Sequence, residues 1–327
     1  MKLLEKLQKM PGGLVIVPLV LAVVVKSIFH EFFEIGGFTT GLFKNGQSAM
    51  MGLFLILCGS AINVRQVGMP LYKGGILTGM KFALGVLLGL AVAKIFGDDG
   101  WMGLTPMVMI AAITNSNGSL YISLSSQFGK PTDTGAISIL SLNDGPFFSL
   151  VALGATGLAT IPFQALVATI IPLLIGFVWG NLDEGFKNTC QKAQPIVTFF
   201  MTISIGSGTD LSTLVTAGIS GILLGIISAS TGILFFFLYN LLLKKDEQSA
   251  MGAAIGTTAL NSAMTPAAIA EADPTMAQYV PLATAQCATA SIITLFVCPF
   301  LVAYLDGRMK KKRAREEAAR EHEQVHI

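Results

Sequence analysis

Ile113-Thr114-Asn115-Ser116-Asn117-Gly118-Ser119-Leu120-Tyr121 is a polar stretch inside an apolar segment that covers roughly residues 104–128. A membrane-spanning helix has no water to satisfy freed backbone groups. A polar, glycine-containing interruption at mid-depth is therefore tolerated only where it lines a cavity enclosed by protein. The stretch predicts a broken membrane helix whose ends face a binding site.

A second stretch of the same kind, Thr258-Ala259-Leu260-Asn261-Ser262-Ala263-Met264-Thr265-Pro266, interrupts the apolar segment 250–270. Thr114 aligns with Thr258, and Asn117 aligns with Asn261. Interrupted spans at corresponding positions of two halves are typical of secondary transporters, in which half-helix ends face the substrate near the midplane.

The composition excludes a soluble domain, because 53% of the 327 residues are hydrophobic and only 12% are charged. Apolar windows of about 20 residues match the thickness of a bilayer core. We therefore predict an all-α polytopic membrane protein with ten transmembrane helices, centred near Leu21, Leu55, Gly85, Asn117, Asn143, Leu173, Thr202, Ala229, Asn261 and Thr294.

The placement of positive charge predicts the orientation. Most of the 21 lysines and arginines fall at the N-terminus, in alternate loops and in the segment after residue 307. Lys44 and Lys94 fall on the other side, and Lys26 and Lys81 lie within spans. The positive-inside rule then places both termini in the cytoplasm.

The two halves of the chain resemble each other at several matched positions. Because each half contains five spans, the second half must be inverted relative to the first. We predict one repeat at 1–157, an inverted repeat at 158–307 and a charged cytoplasmic tail at 308–327. The matched positions are Pro18 with Pro172, Gly59-Ser60 with Gly206-Ser207, and the small-residue pair Gly75/Gly79 with Gly221/Gly225.

Inverted halves predict a transporter with two groups of helices that move relative to each other. The broken helices 4 and 9 cross in one part, and the first, second, sixth and seventh spans form a panel beside it. Rocking one part against the other would expose a midplane site to each side in turn.

Asp144 lies near the middle of the fifth predicted span, where a carboxylate is costly and is usually functional. Desolvation raises a carboxyl pKa toward the range in which it can load and release a proton. Asp144 is therefore our candidate for proton coupling. The alternatives are a cap for the helix break at Gly145-Pro146 or a structural pair with a lysine.

Lys81, inside the third span, is a candidate partner for a substrate carboxylate or for Asp144, and its long stem could instead snorkel to the surface. Uncharged donors and acceptors at both interruptions suit a polyhydroxylated ligand, although some of them will bridge helices. The candidate substrate-binding residues are Asn115, Ser116, Asn117, Gly118, Ser119, Thr258, Asn261, Ser262, Thr265 and Lys81.

Several motifs together resemble the 2-keto-3-deoxygluconate permease family along nearly the whole chain apart from the charged tail. They are Lys9-Met10-Pro11-Gly12-Gly13, Val17-Pro18-Leu19, 117–121, Ser141-Leu142 with Gly145-Pro146, Gly180-Asn181-Leu182-Asp183, and Thr265-Pro266 with Ile269-Ala270-Glu271. The resemblance implies a bacterial inner-membrane importer of a sugar acid, driven by proton symport, with a fold similar to the bile-acid sodium symporters.

The chain departs from the pattern of that family at two positions. The family has an acid where this chain has Asn143 and another where it has Thr114, whereas Lys81 falls at a family position. These departures leave the coupling ion and the exact substrate open.

We therefore expect a proton-coupled symporter of a small anionic sugar acid, embedded in membrane lipid, with no enzyme activity, cofactor, metal site or nucleic-acid partner. Sodium coupling is the alternative in the same class, since hydroxyl and carbonyl oxygens suit a hard cation. A membrane sensor and an intramembrane enzyme are the alternatives from other classes. The residues do not decide whether the chain forms a homodimer.

Overall fold

The computed structural model describes residues 5–7, 13–62, 68–143, 145–208 and 211–325, and helices provide the regular structure of this part of the chain. The helices are α1 (Gly13–Ile28), α2 (Gly37–Phe43), α3 (Gln47–Ala61), α4 (Met69–Phe96), α5 (Pro106–Ile113), α6 (Gly118–Phe128), α7 (Pro131–Gly135), α8 (Ile137–Leu140), α9 (Phe147–Thr156), α10 (Phe163–Leu182), α11 (Glu184–Gly206), α12 (Leu211–Leu242), α13 (Thr265–Ala272) and α14 (Val280–Val325). Short 3-10 segments lie at Phe32–Glu34, Ser141–Asn143, Ala250–Ile255, Leu260–Met264 and Pro274–Tyr279.

Several of these helices are long and apolar enough to cross a membrane. Among the described residues, four uninterrupted spans meet this criterion: Met69–Phe96, Phe163–Leu182, Val215–Leu242 and Pro274–Glu316. The pair Pro131–Asn143 and Phe147–Thr156, bent by 60°, has the apolar character of a broken span or a re-entrant loop. Val17–Ile28 and Ser48–Ala61 are shorter apolar helices. The chain therefore has the architecture of an α-helical membrane protein.

Four helices, which we call the panel, pack on one another. α10 packs along α3, and α11 packs against both α1 and α3. Glycines make the first of these contacts very close: a Cβ on Gly176 would lie 2.0 Å from the carbonyl oxygen of Ile56, and one on Gly59 would lie 2.0 Å from that of Leu173. The backbones of α3 and α10 thus touch with no side chain between them.

The remaining long helices surround the two interruptions. α12 packs along α14, and both contact the Ala250–Ile255 segment. α4 packs against α5, where Gly85 meets Thr114 and Gly89 meets Ile110. The core of the molecule therefore sits around the broken helices.

The spacing of Gly75 and Gly79 predicts a close helix contact. That prediction is wrong, because no atom of the described residues lies within 4 Å of a Cβ built on either residue. Gly74, one position away, packs instead against Ala136 and Ile139. The matched pair Gly221 and Gly225 does form a close contact, with α14. The glycine spacing identified the right helix, but tertiary packing sets which of its faces is buried.

Candidate functional site

The first interruption separates α5 from α6 and consists of residues 114–117. The Thr114 hydroxyl is 2.8 Å from that of Ser149 in α9. The Asn115 side chain donates to the Ala111 carbonyl at 3.0 Å, and the side-chain amide of Asn143 donates to the Ser116 hydroxyl at 3.2 Å. Thr114 and Asn143 thus both form hydrogen bonds at this break.

Asn117 begins α6. Its side-chain oxygen accepts a hydrogen bond from the Leu120 N–H at 2.9 Å, which caps the helix. The capped end presents the positive end of the helix dipole to its surroundings. The helix end therefore lies inside the polar stretch in which the sequence predicted a break.

The second interruption runs through residues 256–259, between the 3-10 segments Ala250–Ile255 and Leu260–Met264. The Thr258 N–H donates to the Thr294 hydroxyl at 3.2 Å, and the Thr258 hydroxyl donates to that of Ser228 at 3.0 Å. The Ser291 hydroxyl donates to the Ala259 carbonyl at 2.7 Å. Side chains of α12 and α14 thus replace the backbone partners that a continuous helix would supply.

The two interruptions meet. The Asn117 N–H donates to the Thr257 hydroxyl at 3.0 Å, across 140 residues of chain. The Lys81 ammonium, fully buried in α4, donates to the Thr257 carbonyl at 2.8 Å. Lys81 therefore reaches the second interruption, and the alternative that it snorkels to the surface is wrong.

A cavity of about 270 Å³ opens beside this meeting point. Its polar lining includes five of the candidate residues, which are Ser116, Asn117, Gly118, Ser119 and Asn261. Gly118 and Ser119 also line a larger cavity of about 800 Å³, which reaches Lys187 and the Pro131–Gly135 helix. The two cavities share lining residues, so they adjoin each other next to the meeting point of the interruptions.

Sequence reasoning missed the opposite wall of these cavities, which is formed by α11. Gln191 and Gln194 line both cavities, Thr198 lines the smaller one and Lys187 lines the larger one. These four positions recur at helical spacing just before and within the seventh predicted span, so the polar stripe they form was a usable signal.

The other five candidate residues are buried and are absent from its lining. They are Asn115, Thr258, Ser262, Thr265 and Lys81. Asp144, the candidate for proton coupling, lies outside the residues that the structure describes. Its role and the substrate-binding roles of the whole set remain predictions.

Four buried oxygens close to the interruptions have no hydrogen-bond partner among the described residues. They are Asn115 Oδ1, Asn261 Oδ1, Ser262 Oγ and Thr265 Oγ1. Buried polar groups are nearly always paired, so a cluster of unpaired acceptors indicates where a polar ligand or an ion would be bound.

A buried ionic network at one end of the core was also missed. The Lys73 ammonium lies 2.9 Å from Asp133 Oδ1 and 2.8 Å from Glu247 Oε2, and both Lys73 and Asp133 are fully buried. The Tyr239 hydroxyl donates to Asp133 Oδ1 at 2.8 Å. The sequence places Lys73 among the loop charges, because its partners are distant along the chain. Asp133 lies 60 residues further on, and Glu247 lies beyond it.

Asp273 is a buried carboxylate just before the Pro274–Tyr279 segment. It is 5% exposed and accepts hydrogen bonds from the Thr160 N–H at 2.6 Å and the Thr275 hydroxyl at 2.6 Å. The Thr275 hydrogen bond, followed by that from Thr160, lowers the pKa of Asp273. Asp273 therefore ties the start of the Pro274–Tyr279 segment to the loop before α10.

The comparisons with known proteins all point to one family. Residues 4–311 match the family model described as 2-keto-3-deoxygluconate permease. The chain is 39% identical to 2-keto-3-deoxygluconate permease 1 of Salmonella typhimurium, over 98% of this chain and 100% of that protein. It is 32% identical to the 2-keto-3-deoxygluconate permease of Bacillus subtilis, over 96% and 97% of the two chains. It is 29% identical to that of Escherichia coli O9:H4, over 97% and 98%. Permeases are transporters and not enzymes, and this chain belongs to the 2-keto-3-deoxygluconate permease family.

Proposed function

We propose that this protein imports 2-keto-3-deoxygluconate, or a closely related sugar acid, across the bacterial inner membrane by proton symport. The observation that carries the proposal is the contact between Asn117 and Thr257, which joins two helix interruptions beside a polar cavity. Non-helical backbone at membrane depth that lines a cavity is the arrangement of a transporter substrate site. The names of the relatives supply the substrate class.

The chemistry of the cavity suits an anionic polyol. Serine, asparagine and glutamine side chains offer both donors and acceptors to hydroxyl groups. The capped start of α6 offers backbone N–H groups and a positive dipole end to a carboxylate. Lys187, at the mouth of the larger cavity, adds a positive charge that would attract the anion.

We further propose ten membrane spans arranged as two inverted repeats of five. The repeat is supported by matched contacts at matched residues. Thr114 bonds to a hydroxyl of the next predicted span, Ser149, and its counterpart Thr258 bonds to Thr294 of the span that follows it. Gly59 of α3 packs on α10, and its counterpart Gly206 of α11 packs on α1.

Alternating access follows from this arrangement. α1, α3, α10 and α11 pack mainly on one another, and the interruptions are held by α4, α9, α12 and α14. The cavity lies between the panel helix α11 and the two interruptions. Movement of the panel relative to the core would open this cavity to one side of the membrane and close it to the other. With the proposed orientation, both termini are cytoplasmic.

The transport proposal is tested by counterflow of labelled 2-keto-3-deoxygluconate into proteoliposomes that are preloaded with unlabelled compound. The expected result is transient accumulation of label that depends on the protein. Absence of counterflow from correctly inserted protein would overturn the assignment of the substrate.

Proton coupling is tested with Asp144→Asn. This variant should lose uphill accumulation driven by a pH gradient and keep part of the exchange, because only the proton carrier is removed. Normal accumulation in Asp144→Asn would remove Asp144 from the coupling role.

Sodium coupling is the second candidate, and the four unpaired oxygens at the interruptions favour it. Neutral amide and hydroxyl oxygens are the ligands that a hard cation prefers. Uptake measured at fixed pH with and without sodium separates the two. If uptake requires sodium and does not depend on the pH gradient, sodium would replace the proton as the coupling ion.

A further inference from the structure

The last helix continues far beyond the length that a bilayer requires. α14 runs without interruption for 46 residues, from Val280 to Val325. At about 1.5 Å per residue, it is more than twice as long as a hydrocarbon core of about 30 Å. Its extension is attached to the turn after α12, because an Arg313 guanidinium nitrogen donates to the Gln248 carbonyl at 2.8 Å and Lys245 pairs with Glu316.

A groove of about 900 Å³ lies between this extension and the end of α12. Its charged lining contains one carboxylate, Glu316, and six basic side chains: Lys245, Arg308, Lys311, Lys312, Arg313 and Arg315. Tyr304, Arg308, Lys312 and Arg315 recur at intervals of three and four, so they share one face of α14. The groove therefore carries a strong excess of positive charge on a defined helix face.

The floor of the groove is apolar and continues toward the membrane-spanning part of the helices. Phe236, Phe237 and Tyr304 line it, and Phe237 and Tyr304 are each 62% exposed. Next to it, Leu241 of α12 is 79% exposed and Phe300 of α14 is 77% exposed. In a bilayer, such side chains contact acyl chains, so the basic rim lies where lipid head groups would be.

A ligand that contacts both the basic side chains and the apolar floor of the groove must carry a negative head group and apolar tails. A free phosphate ion would use the rim and leave the aromatic floor in water. A zwitterionic lipid would gain little from six cations, whereas each basic group near an anionic membrane surface strengthens binding by about fivefold.

We propose that this groove binds the head group of an anionic phospholipid such as phosphatidylglycerol, and that the lipid fixes the extended α14 against the end of α12. The site is separate from the substrate cavity and goes beyond the proposed transport function. It explains why the basic residues after Asp306 occur on a continuous helix that is attached to the core.

The test is native mass spectrometry of the delipidated full chain in detergent, titrated with phosphatidylglycerol or with phosphatidylcholine of the same acyl chains. Phosphatidylglycerol should bind more tightly, and Arg308→Gln/Lys311→Gln/Arg315→Gln should weaken that binding by roughly 100-fold. The matched single variants are Lys311→Gln, which removes a lining charge, and Lys310→Gln, which removes a neighbouring charge that pairs with Asp306 outside the groove. Lys311→Gln should weaken binding by about fivefold, and Lys310→Gln should not.

Equal affinity for the two lipids, or equal effects of the two single variants, would overturn the proposal. Displacement of phosphatidylglycerol by soluble glycerol phosphate at comparable concentration would also overturn it, since the site would then recognise the anion alone. If the triple variant does not fold, phosphatidylglycerol binding to the native chain is measured with added salt instead. The salt should weaken phosphatidylglycerol binding, because screening acts on a charged interaction, and unchanged binding would contradict the proposal.

Discussion

Lys81 is the residue that connects α4 to the interrupted backbone. Its ammonium is fully buried, donates to the Thr257 carbonyl and lies 5.8 Å from the centre of the Phe235 ring. Among the described residues, no carboxylate forms an ion pair with it. A buried charge is costly unless it is well paired, and its retention inside a membrane protein indicates a functional role.

Replacing Lys81 with methionine should lower the initial rate of 2-keto-3-deoxygluconate counterflow by roughly 10- to 100-fold, as expected for loss of a hydrogen bond from a charged donor. The matched control is Lys94→Met, which removes an exposed lysine from the same helix. Equal rates in the two variants, recovered at equal yield, would show that Lys81 does not support the site.

For single residues, the sequence predicted the site best where a residue breaks a strong pattern. Asn117 and Gly118 stand out because they are polar or flexible in an apolar span, and both lie at the cavity. Gln194 and Thr198 were missed because α11 has a polar stripe over much of its length, so no single residue stands out. The roles of Thr258 and Lys81 depend on which face of each helix is buried, and that is set by distant parts of the chain.

Among the helices, the ionic network formed by Lys73, Asp133 and Glu247 joins the start of α4, the short α7 and the turn after α12. Lys73 also donates to the Thr132 hydroxyl at 2.9 Å. The hydrogen bond from Lys73 lowers the pKa of Glu247, which lies outside the membrane-spanning segments. A carboxylate with a lowered pKa stabilises the fold at pH values above the ordinary carboxyl pKa. That contribution is lost as the pH falls through the lowered pKa.

Lys73→Met should lower the free energy of unfolding by about 3–5 kcal/mol, because it leaves the Asp133 carboxylate buried without its cation. Lys44→Met removes a lysine whose pair with Glu34 is 46% and 57% exposed, so it should lower the free energy of unfolding much less than Lys73→Met. Thermal unfolding of both variants in detergent measures the difference. Similar midpoints would mean that the network does not hold these elements together.

The contact between α3 and α10 depends on the absence of a side chain at Gly176, where a Cβ would lie 2.0 Å from the Ile56 carbonyl oxygen. Gly176→Ala should therefore destabilise the panel by about 1–3 kcal/mol. Gly75→Ala makes the same change where no atom of the described part of the chain lies within 4 Å, and it should be neutral or stabilising by up to about 1 kcal/mol. A lower unfolding midpoint for Gly75→Ala than for Gly176→Ala would contradict the packing of these helices.

For the whole molecule, hydrophobic patterning predicted an α-helical membrane protein, and the two polar interruptions predicted where its chain breaks. The structure brings those interruptions into contact through Asn117 and Thr257. Patterning could not show that Asp133 is buried, because its partners Lys73 and Tyr239 are distant in sequence and meet it only in the folded core. Nor could it show that α14 continues past the membrane and packs beside α12, since a charged helix is stable there only through contacts with the core.

The cavity beside the two interruptions is the place where the substrate should bind, and chemical labelling of its wall can test this. Ser119 is exposed and lines both cavities, and the four native cysteines are buried, so Ser119→Cys introduces one accessible thiol. Asp98→Cys, in an exposed turn that is absent from the lining of both cavities, is the control. In detergent solution, saturating 2-keto-3-deoxygluconate should slow maleimide labelling at position 119 and leave labelling at position 98 unchanged. Equal labelling rates at position 119 with and without substrate, in a variant that still transports, would place the substrate elsewhere.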